Sequence, residues 1–219
     1  MLTGLRYMRE ELLSHLPFSI FATVGGMLVV AVLTFLGEPT YGERLPGAFQ
    51  DLFHVFHPTH MLLSATATTA MFWRHERRFV KAAVVGFLGA IVICGVSDIL
   101  IPYLSGFLLG AHMEAHICIL KHPGLVLPFA LVGVATGFLA ADHIVRATFY
   151  SHAAHVLVSS AASLLYLIGF GLAHWVHQAG PVLVFVVLAV MIPCCVSDIV
   201  FPLLAVTKDG KPVPRHHHA

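Results

Sequence analysis

Residues 94–102 read Cys-Gly-Val-Ser-Asp-Ile-Leu-Ile-Pro, and residues 194–202 read Cys-Cys-Val-Ser-Asp-Ile-Val-Phe-Pro. The two stretches are 100 residues apart and share Cys, Val, Ser, Asp, Ile and Pro at the same spacing. Chance similarity is common among apolar helices, but it seldom preserves polar residues and a proline at fixed positions. The pair therefore indicates an internal duplication, whose other members should recur in the same order.

Two further pairs occur in that order. Leu16–Leu28 matches Leu127–Leu139 at an offset of 111 residues, and His57–Ser64 matches His152–Ser159 at an offset of 95. The second of these pairs preserves a His-x-x-His motif. Three ordered matches with similar offsets predict that the chain consists of two copies of one unit.

Composition predicts an integral membrane protein. Of the 219 residues, 58% are hydrophobic and only 11% are charged, whereas a soluble domain has about a quarter of its residues charged. A helix needs roughly 20 apolar residues to cross the hydrocarbon core. Six segments are predicted to be transmembrane helices: 17–36, 52–73, 82–104, 123–141, 151–173 and 181–205.

Six spans give three to each copy of the unit, residues 1–109 and residues 110–219, within a single membrane domain. Because three is an odd number, the second copy enters the bilayer upside down. The predicted fold class is an all-α membrane protein with six transmembrane helices, built as two inverted three-helix repeats. Many secondary transporters use such a pseudo-two-fold arrangement for alternating access.

The distribution of positive charge predicts the orientation. One side of the membrane holds both termini and the loops after the second and fourth spans, and it carries ten of the twelve Lys and Arg residues. The other side has only Arg44 and Lys121. Because positively charged short loops stay in the cytoplasm, we predict cytoplasmic termini, in a bacterial or archaeal inner (plasma) membrane.

The matched polar residues form a set of metal ligands in each copy. His57 and His60 share a helix face at i, i+3, and Cys94 and Asp98 share another at i, i+4. Where the two faces meet, two imidazoles, a carboxylate and a thiol converge, which suits a borderline divalent ion. The equivalent residues of the second copy are His152, His155, Cys194 and Asp198.

Inversion places the first set in the outer half of the membrane and the second in the inner half. If the helices are tilted or broken, the two sets instead form one composite site near the midplane. Pro102 and Pro202 lie four residues after Asp98 and Asp198, where a proline frees the carbonyl of the Asp. Each Asp is thus expected to offer carboxylate and carbonyl to one cavity. The serines expected to add an oxygen or a hydrogen bond are Ser97 and Ser197.

Plainer interpretations of these residues stay open. A single intramembrane His is often only a hydrogen-bond partner for a neighbouring helix, and a buried Cys is usually a small hydrophobic residue. Intramembrane Asp residues are costly and are functional candidates by default. The glycines within the spans are expected to permit close helix packing; they include Gly25, Gly26, Gly133 and Gly137.

The loop between the third and fourth spans carries a second candidate site. His112 and His116 are four residues apart with Glu114 between them, a pattern that suits the capture of metal arriving from outside. The alternative is a solvated or interfacial turn. Other candidates for an outer cluster are His54, His174 and His177.

These features favour a transporter or channel for a divalent transition-metal ion (Zn, Ni, Co, Fe or Mn), with proton coupling as an option and no enzymatic activity. The expected partners are the lipid bilayer and the metal-ion substrate; a homo-oligomer is compatible with the sequence, and nothing points to nucleic acid. Neutral imidazoles are needed for metal binding, so uptake should weaken below about pH 6. The alternative is a haem- or copper-binding redox subunit of a membrane complex, although i, i+3 pairs suit haem less well because axial ligands face each other across the ring.

Overall fold

The computed structural model describes residues 2–141 and 144–195, and all of its regular structure there is helical. No β-strand occurs among these residues. Short 3₁₀ turns at Gly42–Arg44 and Trp175–Gln178 precede the second and the last helix. The helices are α1 (Leu2–Tyr41), α2 (Leu45–His75), α3 (Phe79–Gly95), α4 (Ile101–Leu108), α5 (Cys118–Lys121), α6 (Pro123–Ala140), α7 (Ile144–Gly169) and α8 (Ala179–Cys195).

In residues 2–141 and 144–195, four helical segments are long and apolar enough to cross a membrane: Leu16–Gly37, Phe79–Leu108, Pro123–Ala140 and Trp175–Pro193. A shorter apolar segment, Ala154–Gly169, lies in α7. The side chains that these helices leave exposed are large and apolar; Phe21, Phe35 and Leu139 are each 78% exposed. A surface of this kind suits lipid rather than water. The chain is therefore a helical protein of membrane type, with four candidate spans within its described residues.

Several polar side chains in the middle of α2 lie inside the bundle. This helix packs against α3, α6 and α7, which leave His57, His60, Ser64 and Thr68 at most 1% exposed. A helix enclosed in this way needs little lipid-compatible surface. This explains why α2, which contains the expected span 52–73, is less apolar than the four candidate spans.

Glycines of α6 allow it to approach α2 closely. A Cβ atom added to Gly133 or to Gly137 would lie as close as 2.5 Å and 2.7 Å, respectively, to atoms of α2. The expected packing role of these two glycines is confirmed. The described residues do not support the same role for Gly25 and Gly26, because a Cβ atom at either position would meet none of their atoms within 4 Å.

The helix that contains the first Ser-Asp motif changes geometry at the motif. After α3 the chain forms a π-helical turn, Val96–Leu100, in which the N–H of Ile101 donates to the carbonyl of Val96. Pro102 follows in the first turn of α4, where a missing N–H is tolerated. The helix is thus distorted beside Asp98, as the position of Pro102 predicts, and the distortion takes the form of a π turn, a feature frequent at functional sites.

The segment after α4 is set by Gly110, which has a φ of +82°. This left-handed residue ends the helix with a paired motif: Gly110 N–H donates to Phe107 O, and Ala111 N–H donates to Gly106 O, both at 3.0 Å. Such an ending satisfies the last carbonyls of a helix and turns the chain sharply. It directs the following segment back over the end of the bundle, where it lies against the end of α7.

Candidate metal centre

Asp98 is fully buried and accepts four hydrogen bonds. Its Oδ2 accepts from Nδ1 of His57 at 2.8 Å and from Nδ1 of His60 at 2.7 Å. Its Oδ1 accepts from the hydroxyls of Ser97 at 2.7 Å and Ser159 at 3.3 Å. The carboxylate therefore connects α2, the π turn and α7, and it fixes the orientation of two imidazole rings.

These hydrogen bonds decide which ring nitrogens are left for other partners. A neutral imidazole that donates from Nδ1 has its lone pair on Nε2. His60 Nε2 lies 2.7 Å from His155 Nε2 and 3.9 Å from the Cys94 sulfur. His57 Nε2 is buried without a hydrogen-bond partner among the described residues, and its ring stacks on Phe53 with centroids 5.0 Å apart. A buried unpaired acceptor costs about 1–3 kcal/mol, which a ligand at this nitrogen would recover.

This pattern is the one that metal-binding histidines commonly show. A His that ligates through one nitrogen usually donates its other N–H to a carboxylate, which fixes the tautomer and the ring orientation. Asp98 was expected to be a ligand itself, but donors occupy both of its oxygens, so in this geometry it orients His57 and His60. Ser97 has the hydrogen-bonding role that the sequence allowed for it. His57, His60, Asp98 and His155 are called the buried centre below.

The buried centre takes residues from both halves of the chain. His60 and His155 are equivalent residues, 95 positions apart, and Ser159 of the second copy reaches Asp98. Within the described residues, side chains from both halves of the chain thus meet in one site. Three expected residues lie outside the described part of the chain, namely Ser197, Asp198 and Pro202, and so do the side chains of His152 and Cys194.

A second group of imidazoles lies at one end of the bundle. One ring nitrogen from each of His54, His116 and His122 lies within 4.8 Å of the others, and His54 Nε2 is 3.0 Å from His116 Nε2. His54 is in α2, one turn before His57, and the other two lie between α4 and α6. His116 is buried, at 5% exposure, whereas His122 is exposed. These three residues are called the outer trio.

His116 has different neighbours from those expected for the capture site. His112 and Glu114 are exposed, and Glu114 forms an ion pair with Lys121, Oε1 to Nζ, at 3.3 Å. The stretch around them is not helical, so a spacing of four residues does not place His112 and His116 on one face. His122 was missed because its spacing from His116 fits no helical period; only its presence in the same loop could have indicated it. The exposed histidines that the structure places outside the trio are His112, His174 and His177.

The position of His116 is fixed by contacts with α7. Its backbone N–H donates to the Tyr166 hydroxyl at 3.1 Å, which donates to the Glu114 carbonyl at 3.2 Å. The Phe170 ring packs on the His116 imidazole, with centroids 4.7 Å apart. Burial, together with nearby His54, lowers the pKa of His116 from 6.5 to about 4. The ring is therefore neutral at pH 7 and keeps a nitrogen lone pair for a ligand.

Comparisons with models of protein families, with curated proteins and with solved structures find no match to this chain. The structure combines two imidazoles oriented by a buried carboxylate, a third imidazole from α7, and a partly exposed imidazole trio of which His54 lies on the same helix as His57 and His60.

Proposed function

We propose that this protein is a membrane transporter for a divalent transition-metal ion of the Zn, Ni, Co, Fe and Mn class. The observation that carries the proposal is the pair His57 and His60. Their Nδ1 atoms both form hydrogen bonds with Asp98, which leaves their Nε2 atoms for a metal ion. Imidazole ligands suit transition metals, whereas Mg²⁺ and Ca²⁺ favour carboxylate and carbonyl oxygen. The ion is the substrate of the protein and not a resident cofactor.

A row of histidines along α2 supports movement of the ion rather than storage. His54, His57 and His60 follow one another at intervals of three residues, which correspond to about 4.5 Å of helix rise. His54 belongs to the outer trio, and His60 contacts His155. The row thus runs from a partly exposed end of the bundle to the contact between the two copies, and an ion moving along it would exchange one imidazole for the next.

Six spans in two inverted repeats, with both termini cytoplasmic, are part of the proposal. The helix contacts support the symmetry, because they occur in three matched pairs. The contact between α1 and α7 matches the one between α6 and α2, and the contact between α1 and α8 matches the one between α6 and α3. The contact between α2 and α3 matches the one between α7 and α8. A two-fold axis that exchanges the two copies would map each of these helix contacts onto its matched contact. Equivalent residues meet at such an axis, and the contact between His60 and His155 marks its position. By this symmetry, Asp198 would orient His152 and His155.

Proton coupling follows from the contact between His60 and His155. Their Nε2 atoms are at hydrogen-bond distance, so one must donate and the other accept. His60 uses its Nδ1–H for Asp98, which leaves His155 as the donor. An ion bound to both Nε2 atoms would displace this proton, either to Nδ1 of His155 or to solvent.

A copper-binding redox subunit is the second candidate, and one contact favours it. The sulfur of Cys94 lies 3.9 Å from His60 Nε2, and two imidazoles with a thiolate suit copper. Haem fits less well, because its axial nitrogens stand on opposite faces of the ring, whereas those of His60 and His155 are 2.7 Å apart. A copper–thiolate absorption band that disappears in Cys94→Ser would favour the redox subunit; a transporter should keep its flux in that variant.

Metal uptake into proteoliposomes tests the transport proposal. The purified protein should move Zn²⁺ or Co²⁺, and Asp98→Ala should lower the rate at least about tenfold, as loss of an orienting carboxylate lowers metal affinity. The proposed symmetry predicts a similar loss in Asp198→Ala. Exposed His177 provides a control, since His177→Gln should transport at the wild-type rate. Wild-type rates in both Asp variants, correctly inserted, would exclude this mechanism, and no flux in the wild type would exclude transport.

A further inference from the structure

We propose that the outer trio, His54, His116 and His122, is a metal-binding site in its own right, distinct from the buried centre, and that it is the first site to receive the ion. One nitrogen from each ring lies within 4.8 Å of the other two. Imidazole nitrogens bind Zn²⁺ at about 2.0–2.1 Å, so small ring rotations suffice to place all three around one ion. Sequence spacing does not indicate this set, because His54 lies in α2 whereas His116 and His122 lie six residues apart in a loop without helical periodicity.

The ligand set defines the class of ion. All three ligands are imidazoles, and the nearest acidic side chain of this loop, Glu114, is paired with Lys121. Nitrogen ligands without carboxylate select Zn²⁺, Cu²⁺, Ni²⁺ or Co²⁺ over Mg²⁺ and Ca²⁺. Three protein ligands also leave a fourth position for water, unlike the closed four-ligand sites that hold structural zinc. The exposure of His122 gives water access to that position, so an ion bound there can exchange.

The trio is held in place before any ion arrives. His54 projects from the long helix α2, and the segment that carries His116 is fixed by the hydrogen bond from Glu114 N–H to Phe170 O at 2.7 Å. The backbone N–H of His122 donates to the carbonyl of Cys118, also at 2.7 Å, and so closes the short helix α5. Ligands fixed by packing and hydrogen bonds bind metal with little cost of ordering.

The trio is continuous with the buried centre. His57 is one turn further along α2 than His54, and its Nε2 is buried without a hydrogen-bond partner in the described part of the chain. The Phe53 ring touches both groups, stacking on His57 and meeting the edge of His116. An ion released from the trio would thus meet His57 next. Binding by the trio stands on its own geometry, while its role as the first site rests on the proposed transport.

Zinc stoichiometry and cobalt absorption of the purified full-length protein test this inference. His122→Gln is the informative variant, because the side chain is exposed and its removal should not disturb the fold. It should bind one Zn²⁺ fewer per chain than the wild type and should lose part of the visible cobalt absorption that nitrogen ligands produce. His112→Gln is the matched control, since it removes an exposed histidine of the same loop and should bind as the wild type does.

Each outcome separates the two proposals. If His122→Gln binds zinc with the wild-type stoichiometry, the trio is not a metal site, whatever the transport assay shows. If His122→Gln loses one ion but the wild type moves no metal, the trio stands and transport is wrong. If the wild type transports and His122→Gln, having lost its ion, still transports at the same rate at limiting zinc, the trio binds metal but is not the first site. A fall in that rate of at least about tenfold supports the whole inference.

Discussion

The buried centre and the outer trio both include histidines of α2, but their rings are held in different ways. In the buried centre, Asp98 accepts from the Nδ1 atoms of two rings, so both rings have a fixed direction. In the outer trio, no carboxylate of the described residues plays this part, and the rings pack against one another and against Phe170. One group is closed off from solvent, whereas the other has an exposed member, His122.

In the proposed transporter, this difference would give the two groups different roles in binding the ion. A carboxylate behind an imidazole makes it a more basic ligand and fixes its orientation, so the buried centre should bind an ion more selectively. An imidazole group with an open side should exchange its ion with water more readily. The proposed path for a metal ion would need both properties, and His54 and His57, one from each group, are three residues apart on α2.

Removal of the Asp98 carboxylate should have the largest effect, because it should affect the buried centre and spare the outer trio. In Asp98→Ala, two buried Nδ1–H groups lose their acceptor, at a cost of about 1–3 kcal/mol each. We expect the buried centre to lose its ion while the outer trio keeps one, measured as zinc per chain and as the melting temperature in detergent. If this variant does not fold, Asp98→Asn keeps the shape and half of the acceptor capacity and should weaken zinc binding. An unchanged zinc content in the folded variants would show that Asp98 has no part in metal binding.

A methyl group on α6 should disturb the buried centre and spare the outer trio. Gly137→Ala pushes against Thr69 and Thr66 of α2, and such overpacking typically costs about 1–3 kcal/mol. Thermal unfolding in detergent should show this loss together with weaker zinc binding at the buried centre. Gly25→Ala is the control, because its Cβ meets no atom of the described part of the chain within 4 Å. Equal effects of the two substitutions would contradict the close packing of α2 and α6.

Acid should affect the outer trio through His116. Burial lowers the pKa of this residue from 6.5 to about 4, so between these values the unfolded chain takes up a proton that the folded protein does not. Its contribution to folding stability is complete above pH 6.5 and falls as the pH decreases toward 4. Nitrogen chemical shifts in detergent micelles should show a neutral His116 ring at pH 5.5. A His116 midpoint near 6.5 would contradict its burial beneath the loop.

The smallest effect is expected for the acidic residue of the outer loop. Glu114 and Lys121 form an ion pair between largely exposed side chains, and such pairs contribute about 0–1 kcal/mol. Glu114→Gln should therefore leave both the melting temperature and zinc binding by the outer trio nearly unchanged. A large loss of zinc in this variant would return Glu114 to the role of ligand that its spacing from His116 suggests.

The helices and the first half of the buried centre could be predicted from the sequence. The i, i+3 spacing places His57 and His60 on one face, and the i, i+4 spacing places Cys94 and Asp98 on another; neighbouring antiparallel helices bring such faces together. Helical periodicity does not show which donors a carboxylate will accept, so it could not distinguish Asp98 as a ligand from Asp98 as the group that orients the ligands. That distinction depends on atoms of α2, the π turn and α7 at once.

Contacts between distant parts of the chain account for what the sequence did not show. The contact between His60 and His155 depends on the packing of α2 against α7, and the repeat alone left a composite site and two separate clusters as alternatives. The outer trio joins His54 to a loop with no regular period, so helical spacing could not indicate it. Within the described residues, α2 is not among the four candidate spans, because it is enclosed by other helices and is less apolar than a lipid-facing span.

The most direct test of the buried centre is X-ray absorption at the zinc edge of zinc-loaded His122→Gln protein, in which the outer trio is incomplete. We expect zinc with at least two imidazole nitrogens at about 2.0–2.1 Å, and we expect this signal to disappear when His60→Gln is added. A zinc environment of oxygen ligands alone, or one that His60→Gln leaves unchanged, would contradict a metal site built on the imidazoles that Asp98 orients.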